Sequence, residues 1–98
     1  MLKGGCVYIM ASPNRSTLYI GVSSALVERV WQHRTKYHPT GFTARYNCVM
    51  LVFYKYFESI EAAIAEEKRL KKANRAYKDR LIESENPNWD DLWFQIQT

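Results

Sequence analysis

The chain has 98 residues, of which 47% are hydrophobic and 24% are charged, with only four glycines and three prolines. This length predicts one domain over residues 1–98, and the composition excludes collagen-like, low-complexity and disordered chains. The sequence contains no uncharged apolar run of about 18 residues, and its apolar start is too short for a secretory signal peptide. We therefore expect a globular cytoplasmic protein without a membrane segment.

Charge is distributed unevenly along the chain. Fourteen Lys and Arg against ten Asp and Glu give a net charge of +4, and residues 81–98 carry acidic but no basic side chains. A concentrated basic run fits a polyanion, and nucleic acid is the commonest one, although such a run is also typical of a solvated helix face. The candidate nucleic-acid-binding residues are Lys68, Lys71, Lys72, Arg75 and Lys78.

The first two elements form a predicted β-hairpin over residues 6–11 and 17–22. Each strand carries a tyrosine, Tyr8 and Tyr19, eleven positions apart. A four-residue loop over 12–15 would set the two rings directly opposite each other on one face of the hairpin. A five-residue loop would place them on opposite faces, and simple cross-strand packing is the alternative to a functional role.

A helix is predicted over residues 25–37, with Ser23 and Ser24 as candidate N-caps. Arg29 and His33 stand four residues apart, so they lie side by side on this helix. An arginine beside a titratable histidine suits a phosphate site, whereas a snorkelling Arg with a locally paired His is the structural alternative. Both flank an expected apolar stripe of Leu26, Val30 and Tyr37.

The remaining segments complete a ββαβαα order, which predicts an α+β fold with a small antiparallel sheet. Residues 38–48 are expected to form a loop, and the apolar run 49–57 a central strand. Helices are expected over Ile60–Lys72, with Ser59 as N-cap, and over 75–83. Residues 86–98 are expected to form a tail that packs Trp89, Trp93 and Phe94 on the body of the domain.

Glu67 falls on the apolar side of the second predicted helix, seven residues after Ile60 and three after Ile64. A carboxylate in the middle of an apolar face has to be paired or bound to a metal, because burying it alone is costly. The alternative is a glutamate at the rim of the face that pairs with Lys71 at i+4.

Other chemistries have little support in this sequence. Cys6 and Cys48 are too few for a disulfide framework and are expected to be reduced thiols packed as small hydrophobic residues. Glycine-rich phosphate loops, HExxH and CxxC motifs are absent. Two phenols, an arginine, a histidine and a carboxylate do suit phosphodiester hydrolysis, with a base for water, a cation for phosphate and a ligand for a divalent metal.

In this combination the sequence resembles the GIY-YIG (URI) nucleases. The second half-motif is intact as Tyr19-Ile20-Gly21, whereas Cys6-Val7-Tyr8 keeps only the tyrosine of the first. Arg29 and His33 match the helix positions of the family, and Glu67 matches its metal-binding glutamate. Segments 41–46 and 86–92 resemble the small stand-alone members of the family that are related to the N-terminal domain of the excision-repair nuclease, so the likeness covers nearly the whole chain.

This resemblance implies an endonuclease that uses one Mg²⁺ or Mn²⁺ ion and acts on DNA, with repair or recombination as its setting. Glu67 would hold the metal, Arg29 would stabilise the scissile phosphate, and Tyr8 or Tyr19 would activate water, with help from His33. Which tyrosine does so stays open at this point. A partner protein could supply targeting. The alternative function is a nucleic-acid-binding module that has kept the fold with little or no turnover.

Overall fold

A computed structural model of the chain describes residues 4–97. Within that range three strands and five helices follow one another, and two of the helices are a single turn long. In chain order they are β1 (Gly5–Ala11), β2 (Leu18–Ser23), α1 (Leu26–Arg34), α2 (Phe42–Arg45), β3 (Met50–Phe57), α3 (Ile60–Lys72), α4 (Arg75–Glu85) and α5 (Trp93–Ile96). The α+β class and the ββαβαα order of the main elements are confirmed, and no helix of the described residues is long and apolar enough to cross a membrane.

The sheet is antiparallel with strand order β2-β1-β3, so the prediction of a central third strand is wrong. The outer edge of β3 is covered by the C-terminal segment. Leu92 N–H donates to the Leu51 carbonyl at 2.7 Å, and the Asn86 side-chain amide donates to the Val52 carbonyl at 3.0 Å. These bonds satisfy backbone groups of the edge, whereas β3 is apolar because side chains on both of its faces are buried, Val52 and Phe53 on one side of the sheet and Leu51 on the other.

Each face of the sheet supports its own apolar cluster. One cluster contains Ala63 of α3 and Ile82 of α4, and it is joined by alternate residues of β1, namely Val7, Ile9 and Ala11. The intervening Tyr8 and Met10 point to the other face, where they pack with Val30 of α1. This two-residue alternation puts the β1 tyrosine on the α1 side of the sheet and α3 on the opposite side.

The hairpin loop spans residues 12–17, which is longer than either loop considered from sequence. Tyr8 consequently faces Gly21, and Tyr19 faces Met10, so the two tyrosines are diagonal neighbours and not directly opposite. A six-residue loop has the same parity as a four-residue one. Both rings therefore stay on one face of the sheet, as the shared site requires.

Helix α1 is shorter than predicted and ends at Arg34. Lys36 has a φ of 55°, which an α-helix cannot continue through, and Tyr37 is 58% exposed and not part of an apolar stripe. At the start, Ser23 Oγ accepts a hydrogen bond from Ala25 N–H, but the N-cap residue is Ala25. The expected loop 38–48 contains the short helix α2.

The later elements follow the sequence closely. Ser59 Oγ accepts from Ala62 N–H at 3.1 Å and caps α3 as predicted, while Asn74 Oδ1 caps α4 by accepting from Tyr77 N–H at 2.8 Å. In the tail Trp89 is buried, but Phe94 is 72% exposed, so the expectation that it packs on the body is wrong. Cys6 and Cys48 are buried thiols without a disulfide.

Candidate active site

A chain of hydrogen bonds links three elements at the centre of the site. The hydroxyl of Tyr8 on β1 lies 2.9 Å from Nε2 of His33 on α1, and Nδ1 of His33 lies 2.8 Å from Oγ1 of Thr43 on α2. All three side chains are buried. A neutral imidazole has one donor and one acceptor nitrogen, and each faces a hydroxyl that can take either role. The histidine is therefore fixed in orientation from both sides.

Gly21 leaves the space that the Tyr8 ring occupies. A Cβ added at Gly21 would overlap Cζ and the hydroxyl oxygen of Tyr8 and would lie 2.9 Å from its Cε1. The two residues are cross-strand partners, so the phenol crosses β2 where no side chain stands. Gly21, in the Tyr19-Ile20-Gly21 segment, thus makes room for the ring of Tyr8. This role could not be predicted without knowing the strand register.

A depression of about 250 Å³ opens beside this hydrogen-bonded chain, and its lining includes Tyr19, Arg29 and His33. The ring of Tyr19 lies 5.2 Å from that of His33 and 6.3 Å from that of Tyr8, centroid to centroid. Arg29 Nη1 donates to Oε1 of Gln32 at 2.9 Å, which holds the guanidinium at the rim. Tyr8 is 1% exposed and lies behind the depression, so only Tyr19 of the two phenols borders the open space.

Burial keeps both partners of the Tyr8–His33 hydrogen bond uncharged. It raises the pKa of Tyr8 well above its usual value, helped by Tyr19 and Glu67 and opposed by the Arg29 guanidinium. Burial also lowers the pKa of His33 to about 4, and the positive charge of Arg29 acts in the same direction. At neutral pH the site therefore contains a neutral imidazole and a protonated phenol.

The depressed pKa of His33 predicts a pH-dependent stability. The unfolded histidine titrates near 6.5 and the folded one near 4, so its contribution is complete above about pH 6.5 and is lost as the pH falls towards 4. The free energy of unfolding, measured by urea titration, should fall by up to ~3 kcal/mol over this range from this group alone. A His33→Gln variant should lose that part of the slope. Equal slopes in the two proteins would contradict the assignment.

Glu67 lies on α3 between the buried Ala63 and Leu70, on the side of the helix that faces the sheet. Its side chain is 14% exposed, and its Oε2 lies 3.1 Å from Nζ of Lys71. Both sequence interpretations therefore describe part of its setting: it sits on the buried face and it pairs with Lys71. It is not among the residues that line the depression, because α3 packs on the face of the sheet opposite Tyr8.

Glu67 is the candidate metal ligand among the described residues. Residues 4–97 hold no cluster of three or more His, Cys, Asp or Glu side chains. Mg²⁺ is commonly held by one or two carboxylates, with water and substrate phosphates as its other ligands. Glu67 fits such a sparse site, and its negative charge already influences the pKa of Tyr8.

The five predicted basic residues do not share one environment. Lys71 and Lys78 line a second depression of about 300 Å³ together with Tyr19 and Phe42, at the β2 edge of the sheet. Lys68 and Lys72 are exposed. Arg75 instead holds the hairpin loop, since its guanidinium pairs with Asp79 and donates to the carbonyls of Ser16 and Arg15.

Sequence reasoning missed Thr43 and Phe42. Thr43 carries the second hydrogen bond to His33, and Phe42 lines both depressions. Both lie in a segment whose residue types indicate a loop, with no charge or spacing to mark a role. The resemblance of segment 41–46 to a known subgroup was the one available signal.

Comparisons with known proteins agree with this architecture. A family model described as the GIY-YIG catalytic domain matches residues 4–80. The solution NMR structure of the UPF0213 protein BH0048 from Bacillus halodurans is similar in fold, with a TM-score of 0.58 and 21% identity over 97% of this chain and 98% of that one. No curated protein matches the chain. The match over most of the sequence, together with the paired tyrosines and their glycine, shows that the chain belongs to the GIY-YIG family of nuclease domains.

Proposed function

We propose that this protein is a Mg²⁺- or Mn²⁺-dependent endonuclease that hydrolyses phosphodiester bonds in DNA, in repair or recombination. The observation that carries the proposal is the contact of Tyr8, Tyr19 and His33 beside Arg29 at an open depression. These groups combine a cation for phosphate with hydroxyl and imidazole groups that can bind and move a proton.

Arg29 and Tyr19 are the groups that can touch substrate. A guanidinium binds two phosphate oxygens at once and stabilises the charge that develops on them as the bond to water forms. Tyr19 borders both depressions, and this supports its hydroxyl as the group that orients the attacking water. Tyr19 is half-buried and Tyr8 is fully buried, which favours Tyr19 for this role, a choice that sequence alone left open.

His33 and Tyr8 act as a unit behind the substrate. Both imidazole nitrogens are hydrogen-bonded, Nε2 to the Tyr8 hydroxyl and Nδ1 to the Thr43 hydroxyl, so any proton that reaches the neutral ring passes through one of these hydroxyls, which takes up another proton as it gives up its own. Tyr8 holds the ring from the opposite side, and its raised pKa keeps the phenol protonated, so it serves as a hydrogen-bond partner and not as a phenolate base.

Glu67 is the residue that would hold the metal ion, which in this class of reaction polarises a phosphate oxygen as a Lewis acid. In the structure the carboxylate is paired with Lys71, so binding a cation requires that lysine to move away. Lys71 also lines the depression next to Tyr19 and is free to turn its ammonium group towards a substrate phosphate there.

Binding to DNA should weaken steeply with salt if the basic residues contact phosphates. Affinity is expected to fall by orders of magnitude between low and moderate salt, because each contact releases counterions. A Lys71→Ala, Lys78→Ala double variant should lower the slope of log affinity against log salt by about 2. Lys55→Ala, on β3 at the other edge of the sheet, is the matched control and should leave the slope unchanged. A salt-independent affinity would show that this basic run is only a solvated face.

The alternative function is a nucleic-acid-binding module without turnover. The Glu67–Lys71 ion pair favours it, because a carboxylate neutralised by a lysine needs no metal. The two functions separate in one assay. Labelled DNA is incubated with the protein in Mg²⁺ and in EDTA, and both binding and strand cleavage are followed. Binding with Mg²⁺-dependent cleavage supports the nuclease, and binding without cleavage supports the module.

A further inference from the structure

Three aromatic rings form a row that leads from the candidate active site to the surface. Tyr19 lies 6.0 Å from Phe42, and Phe42 lies 4.6 Å from Tyr46, measured between ring centroids. Phe42 is 45% exposed and Tyr46 is 49% exposed, whereas the large hydrophobic residues of the core are buried. We call Phe42 and Tyr46 the aromatic platform. It begins at the wall of the depression that contains Arg29 and His33.

Positive charge surrounds these rings. The guanidinium of Arg45 lies 5.9 Å from the ring centroid of Tyr46, and Lys71 and Lys78 line the second depression together with Phe42. Among the described residues that line the two depressions there is no acidic side chain. Exposed rings flanked by cations are the arrangement in which bases stack while the backbone phosphates are neutralised.

We propose that the aromatic platform is a binding site for unpaired nucleobases, which stack on Phe42 and Tyr46 while their backbone leads into the depression at Arg29. The inference rests on the proposed function and deepens it by naming the substrate class: strands with unstacked bases next to the scissile phosphate. Bases within a duplex already stack on one another, so their faces are not available to the rings. Stacking is tolerant of sequence, because every base has an aromatic face.

Phe42 is the first residue of the single-turn helix α2 and Tyr46 is its C-cap, so they stand at i and i+4 and their contact supports the helix that carries Thr43. Truncating them to alanine would mix this structural role with any loss of stacking. Leucine keeps the apolar i,i+4 contact and removes the flat aromatic face. A Phe42→Leu, Tyr46→Leu double variant therefore tests stacking with α2 preserved, and the near-ultraviolet and far-ultraviolet circular dichroism report on the fold.

The experiment measures binding in EDTA, where no metal-dependent cleavage interferes. Fluorescently labelled oligothymidylate, oligouridylate and a duplex of oligothymidylate with oligodeoxyadenylate are titrated with the wild type, the double variant and Tyr56→Leu. Tyr56 is 69% exposed on β3 and serves as the control for loss of an exposed aromatic ring elsewhere. We expect the double variant to bind the single strands about tenfold to a hundredfold more weakly and the duplex almost unchanged.

Several outcomes decide the inference. Equal losses on oligothymidylate and oligouridylate support a platform that contacts the base, and a loss confined to one of them restricts it to that kind of strand. Unchanged single-strand binding, or an equal loss on single strand and duplex, would overturn it. Because binding is measured without metal, a wild type that never cleaves would sink the proposed function and leave the platform standing. If the wild type cleaves duplex DNA and the double variant binds single strands as tightly as the wild type, the proposed function stands and the platform is overturned.

Discussion

Replacement of Glu67 by alanine is expected to abolish Mg²⁺-dependent cleavage and to leave the fold intact. The carboxylate is the one group of the chain assigned to hold the metal, so its loss removes the ion from the reaction, an effect of several kcal/mol on the barrier. The helix keeps the buried Ala63 and Leu70, so the packing of α3 on the sheet survives. Cleavage is followed on a labelled DNA substrate over a series of Mg²⁺ concentrations.

The stability of the same variant should change little. Loss of the Glu67–Lys71 ion pair costs a few tenths of a kcal/mol, and the higher helix propensity of alanine offsets a similar amount. Glu66→Ala is the matched control, since Glu66 is the adjacent carboxylate and pairs with Arg69 at 2.7 Å. This control should cleave like the wild type. A Glu67→Ala protein that cleaves at the wild-type rate would remove the metal-ligand assignment.

Gly21→Ala is expected to destabilise the protein and to displace Tyr8 in the candidate active site. The new Cβ would overlap Cζ and the hydroxyl oxygen of Tyr8, so either the phenol or strand β2 has to shift. Such overpacking costs about 1–3 kcal/mol of stability. A shift of the phenol also breaks its hydrogen bond to His33, and a displacement of about 1 Å at a catalytic group can cost roughly a hundredfold in rate. Thermal melts and cleavage rates measure the two effects.

A double-variant cycle tests the reason for that damage. Tyr8→Leu has no atoms at the positions of Cζ and the hydroxyl, so it removes the clash that Gly21→Ala creates. The stability loss caused by Gly21→Ala should therefore be smaller in the Tyr8→Leu background than in the wild type. Strict additivity of the two changes in unfolding free energy would show that the glycine is needed for some other reason.

The fold was predictable wherever local signals were strong. Ser59 and Asn74 cap the two long C-terminal helices through their side chains, and apolar runs rich in β-branched and aromatic residues mark the strands. Strand order was not predictable, because β3 is buried on both faces although it lies at the side of the sheet, and the residues that hydrogen-bond to its outer edge, Asn86 and Leu92, lie far along the chain. The end of α1 was misplaced since nothing in the residue types marks the positive φ of Lys36.

The sequence predicted that four candidate residues lie together, namely Tyr8, Tyr19, Arg29 and His33, but it predicted neither the part played by Thr43 nor the arrangement of the group. Helical spacing set Arg29 beside His33, and hairpin parity kept Tyr8 and Tyr19 on one face. The burial of Tyr8 behind the depression depends on the diagonal register and on Gly21, neither of which the residue types determine. The position of Glu67 likewise depends on how α3 packs on the sheet, and its catalytic role stays a prediction.

Cleavage of a panel of DNA substrates in Mg²⁺ tests the central claim most directly. Branched, nicked, single-stranded and duplex DNA are incubated with the wild-type protein, with Arg29→Gln and with the wild type in EDTA. The proposed site predicts that at least one substrate is cut by the wild type, that EDTA stops the reaction, and that Arg29→Gln lowers the rate by about a hundredfold or more while binding persists. A wild-type protein that binds these substrates and cuts none of them would contradict the nuclease assignment.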